Sequence, residues 1–80
     1  MDFGPRVLVL QKDEKTTVYL DGRLVVQAEA GTVRAIQTYD KRSAKLAQMV
    51  LDELGITDYL IVPGRTFHYI EGVPHEVDCK

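Results

Sequence analysis

The chain has 80 residues, 45% hydrophobic and 28% charged, with ten basic and twelve acidic side chains for a net charge of −2. This composition excludes a disordered chain, a collagen-like repeat and a mucin-like stalk, and it has no global basic excess of the kind nucleic-acid binders carry. No apolar run approaches the roughly 18 residues that span a bilayer, no signal-peptide pattern opens the chain, and a single cysteine, Cys79, excludes a disulfide framework and an all-cysteine zinc site.

A lone thiol without a leader is expected in a reducing cytoplasm. A domain this small buries only about 60% of the surface its unfolded chain exposes. A partner chain, a homodimer included, is one expected source of added stability.

Val7-Leu8-Val9-Leu10 is a continuous apolar run, read as a strand covered on both faces. Gln11 to Lys15 reads as a charged turn, and Thr16 to Leu20 as a second strand. Asp21-Gly22 is a hairpin signal. A two-residue loop there would pair Val18 with Val25 and place Leu24, Val26 and Ala28 on the face opposite Val18. A three-residue loop, Leu20-Asp21-Gly22 with a glycine bulge, would pair Val18 with Leu24 and Thr16 with Val26. It collects Val18, Leu24, Val26 and Ala28 on one face and Thr17, Tyr19, Arg23, Val25 and Gln27 on the other, so the pattern favours it. Glu29-Ala30-Gly31 is a further turn. Thr32 to Tyr39 has strand composition with broken alternation, which a bulge would explain.

The helix is expected over residues 40–54. Asp40 is a suitable N-cap, Ala44, Leu46, Ala47, Val50, Leu51 and Leu54 recur at helical spacing, and Gly55 followed by Ile56 suits a Schellman ending. Tyr59-Leu60-Ile61-Val62 reads as a central strand, Pro63-Gly64 as a tight turn, and Arg65 to Ile70 as the returning strand. Glu71 to Lys80 reads as a tail with room for one short edge strand. The expected fold is one α+β domain over residues 1–80, a mainly antiparallel sheet (meander, then hairpin) with the helix packed on one face.

Four groups of residues invite a chemical role. Lys41, Arg42 and Lys45 occupy the first turns of the helix, where the helix dipole already presents positive charge, and Arg34 precedes them. They form a candidate anion or nucleic-acid patch, set against a plain solvated helix face; no glycine-rich phosphate loop precedes them. His68, His75, Glu76, Asp78 and Cys79 are ligand types, but their spacing matches no zinc motif, so no metal is expected.

Ser43 is the only serine and Cys79 is terminal, so no nucleophile stands beside a base in sequence. A chain this short also leaves little room for a hollow of about 300 Å³. No catalytic residue and no cofactor are expected. Tyr19, Arg23 and Val25, on the second face of the favoured register, form a candidate protein-binding surface, because Tyr and Arg are enriched at interface hot spots. The favoured function is a small non-catalytic binding module acting through protein–protein contact, an adaptor or inhibitor of a larger assembly. A nucleic-acid-binding module using the basic patch is the alternative.

Overall fold

A computed structural model of the chain describes residues 3–77. It has six strands and one helix: β1 (Val7–Lys12), β2 (Lys15–Leu20), β3 (Arg23–Glu29), β4 (Thr32–Gln37), α1 (Lys41–Glu53), β5 (Thr66–Ile70) and β6 (Val73–Val77). The strands form one antiparallel sheet in chain order, so every neighbour in space is a neighbour in sequence. α1 packs across one face of this sheet, which is the expected α+β architecture. Among the described residues no helix is long and apolar enough to cross a membrane.

Three of the four hairpin turns are Xaa-Gly pairs with both residues at positive φ: Asp21-Gly22, Ala30-Gly31 and Glu71-Gly72. That conformation matches the right-handed strand twist, and glycine adopts it without strain. The first turn is tighter than the charged stretch suggested. Lys12 pairs directly with Lys15, leaving only Asp13-Glu14 between the strands.

The β2–β3 hairpin corrects the favoured register. Its loop is the two-residue Asp21-Gly22, with Leu20 opposite Arg23 and Tyr19 opposite Leu24. The slip that the apolar pattern demanded comes one step later, where Val25 is an extra residue in β3 and Val18 then faces Val26. A bulge of this kind turns two consecutive side chains towards the same side. Both Val25 and Val26 are accordingly fully buried. A second bulge, at Arg34, carries the register from Gln27–Ala35 to Ala28–Val33 and accounts for the broken alternation of β4.

The helix is bounded as its sequence signals require. The Asp40 side chain accepts the Ser43 N–H (2.9 Å), and Ser43 Oγ accepts the Asp40 and Tyr39 N–H groups (3.1 and 2.8 Å), a reciprocal capping box. At the far end Ile56 N–H donates to the Leu51 carbonyl and Gly55 N–H to that of Asp52, the Schellman pattern, with Gly55 at positive φ. Leu46, Ala47, Val50 and Leu51 are buried against Val18, Val26, Ile36 and Phe67 of the sheet.

Two expectations fail after and before this core. Tyr59–Val62 is not a strand. α1 climbs about 20 Å away from the end of β4, at 1.5 Å per residue. β5 must start beside that same end to run antiparallel to β4, so residues 56–65 have to descend again, and Thr66–Ile70 takes the free edge of β4. The descending segment is held by side chains instead of a ladder. Tyr69 Oη accepts the Leu60 N–H (2.6 Å), Thr38 Oγ1 donates to the Val62 carbonyl (2.9 Å), and Tyr59 and Ile61 pack on the core.

The segment after Ile70 does supply the short edge strand it had room for, over Val73–Val77, because Glu71-Gly72 makes a tight turn that folds it back on β5. Finally, β1 is not covered on both faces. It is the opposite edge strand, with Val7 and Val9 half-buried towards the core and Leu8 and Leu10 exposed.

Candidate functional site

The register sorts the strands into two faces, and among the described residues only one is covered. A cross-strand row of Val9, Val18, Val26, Ile36 and Phe67 lies beneath α1. The adjacent row, Leu10, Thr17, Gln27, Ala35, His68 and His75, lies on the opposite face, because successive residues of a strand point to opposite sides. Beside it Leu8, Tyr19 and Leu24 form a second row on that open face. Leu8 and Leu10 are 55% and 50% exposed, and Tyr19 and Leu24 are half-buried. Leu8, Leu10, Thr17, Tyr19 and Leu24 thus make an uncharged patch, mostly apolar, with Lys12, Lys15 and Arg23 at its margin.

The three residues read as a protein-binding surface therefore separate. Tyr19 stands on the open face. Arg23 is exposed at the rim, its guanidinium 5.0 Å from the centre of the Tyr39 ring, a cation–π contact that holds it against the protein. Tyr39 is itself fixed, donating to the Leu24 carbonyl (2.8 Å) and accepting from Gln37 Nε2 (3.1 Å). Val25 is removed from the surface by the β3 bulge and belongs to the core. Leu8, Leu10 and Leu24 take its place, which the favoured register could not show.

The basic set also divides. Lys41, Arg42 and Lys45 are exposed on the first turns of α1, and among the described residues none forms an ion pair. Arg34 does not join them: it pairs with Glu29 at 3.4 Å, within the first half of β4. Arg6 and Arg65 are likewise engaged, by Asp21 and Glu76. Grooves flank α1 on both sides. One, of about 350 Å³, runs between Phe3, Leu20, Met49 and the Arg42 and Lys45 side chains. The other, of about 540 Å³, runs between Lys41, Gln48, Tyr59 and Leu60. A chain this short thus leaves more room than its length implied. Neither groove is lined by a histidine, cysteine, serine or carboxylate.

Ser43, the only serine, is fully buried in the capping box, where its hydroxyl also donates to Asp40. The Ser43 N–H and hydroxyl hold the Asp40 carboxyl below its ordinary value. Burial, then the hydrogen bond to Asp52, pushes the Tyr59 phenol up. Of the candidate ligand set, the fold brings His68 and His75 directly opposite each other, both exposed on the open face. Glu76 lies on the other face of β6 and binds Arg65 (2.8 Å). Asp78 and Cys79 lie outside the described residues.

Comparison of this chain with protein-family models, with curated proteins and with solved structures finds no match.

Proposed function

We propose that this chain is a protein-binding module that acts through the open face of its sheet, centred on Leu8, Leu10, Tyr19 and Leu24. The uncharged exposed patch carries this reading. Interface centres are depleted in charge and enriched in aromatic and apolar groups, with polar and charged residues at the rim. Leu8, Leu10 and Tyr19 fit the centre, and Lys12, Lys15 and Arg23 fit the rim.

Six strands about 4.8 Å apart and some six residues long give a face of roughly 25 by 20 Å, on the order of 500 Å². That falls short of the roughly 800 Å² per partner of a standard interface. The contact is therefore a weak one, or it extends over the β1 edge. The two edges differ here: β6 carries Pro74, which has no N–H to donate to an added strand, and β1 carries no proline.

The test is capture from the native host's lysate, with and without nuclease, using the natural chain and a Leu10→Lys, Tyr19→Ala variant. We expect a stoichiometric protein that survives nuclease and is lost with the variant. Capture that is untouched by the variant overturns the reading. Capture that vanishes with nuclease and with a Lys41→Glu, Arg42→Glu variant instead assigns the binding to the three unpaired cations of α1, and phosphate-led binding of that kind also weakens steeply with salt. A partner that proves to be a second copy of the chain identifies the module as a homodimer.

A further inference from the structure

We propose that His68 and His75 together form a binding site for a first-row transition-metal ion on the open face of the sheet. The two residues are separated by six positions in sequence, and the Glu71-Gly72 turn brings them into one cross-strand pair. Both are exposed, whereas their neighbours Phe67 and Tyr69 point into the core.

Directly opposed residues of an antiparallel pair have Cβ atoms about 4.5–5.5 Å apart. Two nitrogens on one tetrahedral ion, each about 2.0–2.1 Å from it, lie about 3.3 Å from one another. Two imidazoles span that gap by rotating about their own side-chain bonds, with no movement of the backbone. The strands that carry them are hydrogen-bonded neighbours, so the pair is preorganised. Among the described residues no hydrogen bond or ion pair engages either ring.

The chemistry of the donors selects the ion. Neutral imidazole suits zinc, copper and nickel, and affinity for such nitrogen sites rises towards copper; calcium and magnesium require oxygen ligands. Among the described residues no group of three or more histidine, cysteine or carboxylate side chains is placed to hold a metal. The chain therefore supplies two ligands, and the remaining positions are open to water or to a side chain from another molecule. This inference stands on the β5–β6 register and does not depend on the protein-binding reading.

The chain has only two histidines, so the imidazole signals of its proton NMR spectrum report on this site alone. We expect zinc chloride, added to metal-stripped protein, to shift both imidazoles with one midpoint at one ion per chain, and magnesium chloride to shift neither. His68→Ala and His75→Ala each lower the zinc affinity at least about tenfold, because the second imidazole otherwise binds as an intramolecular ligand. Thermal unfolding in EDTA shows whether each variant keeps the fold, as exposed positions should. Two histidines that respond with separate midpoints, a single variant that retains the affinity, or no response to zinc overturns the proposal.

Discussion

Two neighbouring cross-strand rows in the middle of the sheet show how one backbone serves two purposes. On the covered face the row reads Val9, Val18, Val26, Ile36, Phe67; on the open face it reads Leu10, Thr17, Gln27, Ala35, His68, His75. The first has Val18, Val26 and Ile36 fully buried under a single helix and is uniformly apolar. The second mixes an exposed leucine, polar side chains and a histidine pair, and no element among the described residues covers it. Stability comes from the first row, where apolar area leaves water. In the second, the exposed Leu10, His68 and His75 are free to carry contact chemistry, because changes at these positions leave the packing intact, whereas Ala35 between them is buried.

The largest expected effect falls on the covered row. Ile36→Ala should cost about 3 kcal/mol, through lost transfer free energy and the cavity left beneath α1. Leu10→Ala, one residue over on the open face, should stay within about 0.5 kcal/mol. Urea denaturation of the two variants checks the contrast, and similar losses would mean that something covers the open face after all.

A smaller effect tests the cover itself. Ser43→Ala removes one half of the capping box and leaves the Tyr39 and Asp40 N–H groups without their acceptor, a loss of about 1 kcal/mol on the same measurement.

The smallest is a pH effect. The folded state holds the Asp40 carboxyl below its ordinary value, so its contribution is present above the unfolded value of about 3.9 and is lost as pH falls through the folded one. The stability advantage of the natural chain over Asp40→Asn should therefore shrink on acidification from about pH 5. An advantage that is constant with pH would show that the neutral side chain caps equally well.

How much of this was legible in the sequence depends on the range of the interaction that decides each feature. The helix was legible to its caps. Asp40, Ser43, Gly55 and Ile56 act on partners within five residues, and the apolar spacing between them repeats every turn. The positions of the turns at Asp21-Gly22 and Ala30-Gly31 were legible for the same reason, though not the length of the first loop, and so was the α+β class. The candidate surface was legible only in part. Tyr19 was placed on the right face, but Val25 was not, because the same net slip arises from a wider loop or from a bulge, and only packing across β2, β3 and β4 chooses between them. The continuous apolar run of Tyr59–Val62 is equally good for a strand and for an extended segment lying on a core.

By itself, then, the sequence determined where the chain turns, where it is helical and how many apolar residues seek cover, since those follow from local backbone preference and periodicity. The tertiary structure alone decided which segment took the free edge of β4, which strands became edges, that Val25 is core, and that His68 meets His75. The free edge of β4 and the choice of edge strands are competitions between distant parts of the chain, decided by where α1 delivers the chain after crossing the sheet. Val25 is decided by packing across β2, β3 and β4, and the histidine pair by the register that the Glu71-Gly72 turn sets.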